Sequence, residues 1–366
     1  MANGFIRALG LMSGTSADGI DAAIVTTDGE TVQAFGPRHT VPYPPALRAR
    51  VLAAMAMGQA DANQADSNLA DADLSNDLTL AAAAAARTIM GDGDVALVGL
   101  HGQTILHDPA AGRTVQIGCG ATLAELLGVP VVDQFRRADV AAGGQGAPLV
   151  PAFHAALADG LGPVAVLNVG GVANVTFVGD GPLLAFDTGP GGALMDDWVG
   201  RHTGAAYDRD GALAAAGQVQ ADRLAALLDH PYFTRPPPKS LDRHAFSLAP
   251  VQGLSPADGA ATLLAFTVAA VVRAAAYATP RRWLVCGGGR HNGALMAALR
   301  AALPQADPVE AVGWDGDALE AQAFAFLAVR SLRGLPLSWP GTTGVPAPQN
   351  GGTLHQPGHL APPLNT

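Results

Sequence analysis

Three short stretches combine residue types that phosphate and proton chemistry use. In GLMSGTSADGID (10–21), Ser13, Gly14, Thr15, Ser16, Ala17, Asp18, Gly19, Ile20 and Asp21 stand between apolar runs. Small residues let backbone N–H groups approach an anion, the hydroxyls add donors, and Asp18 or Asp21 could hold a magnesium ion or its waters. The same residues also suit an ordinary hairpin turn, and no lysine is present to complete a Walker loop. In FDTGPGGALMDDW (186–198), Asp187 precedes Gly189-Pro190-Gly191. An aspartic protease needs a second Asp-Thr-Gly, which the sequence lacks. A plain turn and a lone general base at a strand tip both remain open, the latter with Gly189, Gly191 and the next helix start offering amides to a phosphate. LVCGGGRHNGALM (284–296) puts Gly287, Gly288 and Gly289 before a helix starting near Asn292, a bare backbone on which a purine and ribose could lie. Any tight strand-to-helix connection also favours glycine.

Two polar stretches interrupt the apolar pattern. HGQT (101–104) contributes His101, Gln103 and Thr104, and VVDQFRRADVAAGGQGAPLVP (131–151) sets Asp133, Arg136, Arg137 and Asp139 beside a glycine-rich loop. Arginine suits a carboxylate clamp and GGQG can approach a sugar ring, although a solvated charged face uses the same residues. Glu320 lies in a helix with an apolar core face, as a surface or a cleft carboxylate. The histidines show no metal-binding spacing, and Cys119 and Cys286 form no CxxC.

Positioning these residues falls to a repeated plan. FIRALGLM, GIDAAIVTT and TVQAFGPRHTV read as an antiparallel meander, followed by helices at 44–56 and 68–90 and a buried strand, VALVGLHG, ending in the HGQT loop. PVAVLNVGG, VANVTFVG and GPLLAFDTG read as a second meander, followed by helices at 192–204 and 256–278 and the strand RRWLVCGGG. Ser255-Pro256-Ala257-Asp258 caps the apolar helix, which is expected to be buried. The duplication predicts two similar α/β domains with a ligand cleft between them. The expected bounds are 1–160 for the first domain and 161–334 for the second. The tail, 335–366, packs back on the first domain as irregular coil from Trp339.

At 366 residues, 49% hydrophobic and 14% charged, the chain can bury a large core. A net charge of −10, with no basic cluster beyond paired arginines, argues against nucleic-acid binding. The early polar MSGTSADG does not match a signal peptide, so a reduced cytoplasmic setting without membrane contact is expected.

Taken together, GLMSGTSADGID, LHGQT, VVDQFRRADVAAGGQGAPLVPAFH, LNVGGVANVT, FDTGPGGALMD, PPPKSLDR and CGGGRHN resemble the 1,6-anhydro-N-acetylmuramic acid kinase family of the sugar kinase, actin and Hsp70 superfamily. The resemblance implies two actin-like ATPase (ribonuclease H-like) domains with an interdomain active site. It implies ATP-dependent, hydrolytic opening of the anhydro sugar and phosphorylation at O6, in cell-wall recycling, with ATP and Mg²⁺ as cofactors and a homodimer as the assembly. Asp187 would be the catalytic base and Asp18 the metal-side carboxylate. Arg136 would meet the lactyl carboxylate, with His101, Gln103, Thr104, Asp133 and Glu320 as sugar contacts. The chain departs from the family at Gly192, where asparagine is usual, and at Cys119, where an acidic or amide residue is usual. A kinase for another amino sugar and a non-catalytic nucleotide switch are the competing readings.

Overall fold

A computed structural model describes residues 4–60, 71–91, 95–241 and 245–358. Expectations for the chain around 68–70, for Asp242 and Arg243 of PPPKSLDR, and for the last residues of the tail lie outside them. The chain divides into two compact units, Met1–Leu157 with Ala318–Thr366, and Ala158–Asp317.

In the first unit, β1 (Ile6–Ser13), β2 (Gly19–Thr27) and β3 (Val32–Pro42) form the meander. Helices α1 (Pro45–Ala60) and α2 (Ala72–Met90) follow. Next come β4 (Leu97–Asp108), β5 (Arg113–Ile117), α3 (Gly120–Leu127) and β6 (Val131–Asp133), then α4 (Arg137–Ala141) and α5 (Pro151–Leu157). The second unit repeats the plan. It holds β7 (Val164–Val169), β8 (Val172–Val178), β9 (Leu184–Pro190), α6 (Ala193–Thr203), α7 (Ala212–Ala215) and α8 (Ala221–Leu228). It ends with α9 (Pro256–Ala274), β10 (Arg282–Cys286), α10 (Gly293–Ala302) and β11 (Ala306–Pro308). The first unit is completed by α11 (Leu319–Leu332), α12 (Pro340–Thr343) and β12 (Thr353–His355).

The two sheets share one topology. In the first, β3-β2-β1 are antiparallel, and β4 and β6 continue parallel to β1. In the second, β9-β8-β7 are antiparallel, and β10 and β11 continue parallel to β7. This order, β3-β2-β1-β4-β6 in the first unit and β9-β8-β7-β10-β11 in the second, is that of the ribonuclease H-like domain of actin-like ATPases, so the α/β fold read from the two meanders holds.

Three details differ from the sequence reading. HGQT is not a loop but part of β4, whose far half is kept extended by antiparallel pairing with β5 from Gln103 to Asp108. The helix bearing Glu320, α11, belongs to the first unit, because Gly10 and Gly99 face it. These two glycines are register partners on β1 and β4. A Cβ on Gly10 would stand 1.8 Å from the carbonyl oxygen of Ala321, and one on Gly99 2.2 Å from that of Phe324. Only a strand pair without side chains there lets a helix backbone lie so close. Finally, the tail is not wholly coil: β12 adds antiparallel to β6, so the segment packs on the first sheet.

The apolar 256–278 segment is a core helix as expected, with Ser255 Oγ capping the Asp258 amide. It is long and apolar enough to cross a membrane, yet two-thirds buried. Its Phe266, Val271 and Ala274 belong to the core of the second unit, as do Phe186 and Trp283.

Replacing Gly10 or Gly99 with alanine should lower the unfolding free energy by about 1–3 kcal/mol or more, since the obstruction is backbone and not a movable side chain. Urea unfolding of the two variants checks this, with Gly112→Ala separating backbone strain from the close approach, because nothing lies within 4 Å of a Cβ there.

Candidate active site

The turn between β1 and β2 is bare on its outer side and tied down beneath. Thr15, Ser16 and Asp18 are exposed, while Ala17 takes a left-handed φ of 49° with its methyl group fully buried. The Ala17 amide donates to the carbonyl of Gly14 (3.2 Å) and Arg48 Nε donates to that of Ala17 (3.1 Å). Ser16 Oγ donates to Asp18 Oδ1 (2.9 Å), whereas Asp21 Oδ1 accepts the Thr40 hydroxyl across the meander (2.6 Å). Of the two carboxylates, then, Asp18 stands at the tip and Asp21 is built into the sheet. Ile20 is core. Gly19 allows close packing, for a Cβ there would lie 2.4 Å from the carbonyl of Val41.

Gln103 lies under this turn. Its Nε2 donates to the Gly14 carbonyl (3.1 Å), and its Oε1 is 2.7 Å from Ser13 Oγ, which also accepts from Tyr43 OH (2.9 Å). Burial pushes the Tyr43 phenol up to about 12, so it stays a donor at any working pH. Gln103 is 1% exposed and its amide is committed on both sides, which makes it a strut for the turn. Thr104, one residue on, is half-buried and accepts from Gln116 Nε2 (3.4 Å).

His101 and Arg136 meet. Arg136 Nη2 is 2.9 Å from His101 Nε2, and Arg136 Nη1 donates to the Gly146 carbonyl (2.8 Å) within the GGQG loop. Burial and then the nearby guanidinium hold the His101 imidazole well below the usual histidine range, so its Nε2 is an acceptor. The ring packs against Phe324 of α11, tilted by 42° with the centroids 4.5 Å apart. Asp133 turns elsewhere: Oδ2 accepts the Gly120 amide at the start of α3 (3.0 Å), and Oδ1 is 2.9 Å from His355 Nε2 of β12. It joins the tail to the sheet. Glu320 is exposed in the first turn of α11.

In the second unit Asp187 is half-buried on β9. Its amide donates to the Lys239 carbonyl (3.0 Å), its Oδ2 accepts the Leu241 amide (2.7 Å), and its carbonyl accepts the Tyr232 hydroxyl. Lys239 is itself 5% exposed, with Nζ donating to the Tyr232 carbonyl (3.0 Å) and lying 4.5 Å over the Tyr232 ring. The PPPKS segment and Tyr232 therefore grip Asp187 from both sides. The sequence marks PPPKSLDR only as a family motif and assigns Lys239 no role, since its partners lie in other segments.

The amides after Asp187 correct one expectation. Those of Gly191, Gly192 and Ala193 donate to the carbonyls of Gly170 and Gly171 (2.8–3.2 Å), so these three amides are engaged within the unit. Gly191 serves packing, as a Cβ there would stand 2.2 Å from the Gly170 carbonyl, and Gly189 similarly lies against Ala270. The half-exposed Gly170-Gly171 turn joins β7 to β8 as 14–18 joins β1 to β2, an equivalence visible in the sequence only through the duplicated meander. Gly287 (φ 75°) and Gly289 pack on Asn168 and Val169, while a Cβ on Gly288 meets nothing within 4 Å. Asn292 Oδ1 caps α10 at the Leu295 amide (2.9 Å). Arg290, its side chain 4% exposed, anchors this loop through Glu310 (2.8 Å), Asp317 (2.6 Å) and the Gly287 carbonyl (3.0 Å).

The family model for anhydro-N-acetylmuramic acid kinase matches residues 6–356. The chain belongs to that family. It is 60% identical over 362 residues to the anhydro-N-acetylmuramic acid kinase of Rhodospirillum rubrum, covering 96% of this chain and 95% of that one. It is 57% identical to that of Acidiphilium cryptum, covering 97% and 100%. Among solved structures, a ROK family glucokinase from Streptomyces griseus in complex with glucose and AMPPNP aligns with 88% of this chain and 99% of its own, at 17% identity and a TM-score of 0.43.

Both departures noted in the sequence fall at helix starts. Gly192 has ordinary helical angles, and a Cβ there would meet nothing closer than 3.6 Å, so the backbone of this anhydro-N-acetylmuramic acid kinase family member has room at 192 for the usual side chain. Cys119 precedes α3 without capping it, and its Sγ accepts from the Thr122 hydroxyl (3.3 Å).

Burial lowers His107 to about 4 and His154 to about 3. The unfolded chain takes up these protons near pH 6.5 and the folded chain refuses them, so stability is full above pH 6.5 and drains as pH falls toward 4. Each group should contribute up to about 1.4 kcal/mol per pH unit within that window. Urea unfolding at pH 7, 6 and 5 should show the loss, and His107→Gln should reduce its slope by up to about 1.4 kcal/mol per pH unit while His154 keeps the remainder.

Proposed function

We propose that this chain uses ATP to convert 1,6-anhydro-N-acetylmuramic acid and water into N-acetylmuramate 6-phosphate and ADP, a step of cell-wall recycling. The observation that carries the reading is the match to one kinase family along residues 6–356. Family membership at 60% identity over almost the full length makes the chain an ATP-dependent sugar kinase.

Asp187 is the base. Its carboxylate, aimed by the Leu241 amide, takes a proton from the water that attacks C1 of the sugar. As the C1–O6 bond breaks, O6 attacks the γ-phosphorus and ADP leaves. Phosphoryl transfer asks the protein mainly for positioning and neutralisation of charge. The exposed Gly14–Asp18 turn is suited to the phosphates, and the topologically equivalent Gly170-Gly171 turn replaces the amides of 191–193 in that role. The Gly287–Gly289 loop, held by Arg290 with Gly288 open, suits the adenosine. Arg136 takes the lactyl carboxylate, with Thr104 and Glu320 near the sugar and His101 fixing the guanidinium.

The donor set fits a magnesium ion that arrives with the nucleotide. Among the described residues no three His, Cys, Asp or Glu side chains gather into a protein cage, and Asp18 is the exposed carboxylate at the turn. Magnesium usually binds through one or two carboxylates plus substrate phosphates. When bound it would neutralise charge on the transferring group. The cytoplasm, where ATP is available, and a homodimer complete the proposal; sedimentation of the purified chain tests the assembly.

Turnover in ¹⁸O-labelled water should place the label at C1 of the phosphorylated product. Unlabelled product would point to an ordinary kinase for another amino sugar, and ATP hydrolysis without a phosphorylated sugar to a nucleotide switch. Asp187→Asn should lower kcat by at least about 10²-fold while leaving ATP binding intact by calorimetry. Arg136→Ala should raise the sugar KM about tenfold or more, equivalent to about 1.4 kcal/mol, and leave the ATP KM unchanged.

A further inference from the structure

We propose that Asp139 is a positioning residue that fixes Arg136 from behind, and that the C-terminal segment around Ser338 and Thr343 is thereby part of the sugar-binding apparatus. The inference rests on the reading of Arg136 as the carboxylate clamp.

Asp139, in α4, is 2% exposed. Its Oδ1 accepts the Gly146 amide (2.6 Å), and its Oδ2 accepts the hydroxyls of Thr343 (2.6 Å) and Ser338. A buried carboxylate is costly unless such donors compensate it, so the site holds together as a set. The loop is fitted closely around it. A Cβ on Gly144 would come within 2.2 Å of Asp139 Oδ1, and Gly146 has a φ of 66°. The Gly144 amide donates to the Asp139 carbonyl (2.9 Å), and the Gln145 amide to that of Thr343 (2.7 Å).

Gly146 carries both links of the chain of contacts. Its N–H reaches Asp139, and its carbonyl accepts from Arg136 Nη1 (2.8 Å), whose guanidinium also meets His101. Ser338 and Thr343, some two hundred residues away in sequence, are thus three hydrogen bonds from the clamp. Fixing a long arginine costs up to about 2 kcal/mol of rotamer freedom. A guanidinium held before the sugar arrives does not lose that freedom on binding. Asp139 itself touches no ligand in this scheme.

The test compares the full chain with Asp139→Asn and with the double variant Ser338→Ala, Thr343→Val, which decides the matter if Asp139→Asn fails to fold. The readouts are kcat, both KM values, and calorimetric Kd for 1,6-anhydro-N-acetylmuramic acid against 1,6-anhydro-N-acetylglucosamine, which lacks the lactyl carboxylate. The expected result is a sugar KM and Kd raised about tenfold for the lactyl sugar, with kcat, ATP KM and the Kd of the lactyl-free sugar within about twofold. Equal losses for both sugars, or an unchanged KM in the folded double variant, overturn the proposal. Arg136→Ala runs alongside. If it spares the preference for the lactyl sugar, the clamp reading fails at its source; if it abolishes that preference while the Asp139 and hydroxyl variants do not, only the positioning role is lost.

Discussion

The first unit depends on how closely one helix backbone lies on two strands. Gly10 and Gly99, paired on β1 and β4, leave room for the carbonyls of Ala321 and Phe324 where any side chain would intrude. That seat puts Phe324 against His101 and Phe135, so the helix forms the wall behind the Arg136 pair. It also places Arg330, itself buried, where its guanidinium reaches the carbonyls of Gly29 and Pro336 and fastens both the meander and the following chain. A close approach of backbone to backbone cannot be adjusted by rotamer changes, which is why so much geometry follows from it.

A second theme is that polar groups around the candidate site are supported in layers. Gln103 and Ser13 hold the β1–β2 turn from beneath, Lys239 and Tyr232 hold Asp187 from both sides, and Arg290 holds the Gly287–Gly289 loop. In each case a buried side chain satisfies backbone carbonyls, while Thr15, Ser16 and Asp18 stay exposed on the first turn and Gly288 faces open space on the last loop. A loop meant to cradle a phosphate or a nucleoside needs that combination of a rigid back and a bare front. Residues that look like ligands by type can belong to the back. Gln103 and Asp133 also brace the unit, through the Gly14 carbonyl and Ser13 and through the Gly120 amide and His355.

Sequence alone determined the two meanders, the capped start of the core helix at Ser255-Pro256 and the turn-forming character of 14–18, since alternation, capping and small-residue runs are local signals. It also sufficed for the family, because motifs in order along nearly the whole chain carry that information. It did not determine which amides are available. Gly191 reads as an anion contact, yet its N–H group and those of Gly192 and Ala193 go to the carbonyls of Gly170 and Gly171. Nor could it assign α11 to the first unit, since the reason is a glycine pair more than two hundred residues upstream, or show that HGQT is a strand kept extended by β5. Tertiary structure alone set Asp139 between Gly146 and the hydroxyls of Ser338 and Thr343, and separated Asp18 at the tip from Asp21 in the sheet. Local chemistry is written residue by residue, whereas hydrogen-bond partners drawn from distant segments exist only once the chain has closed on itself.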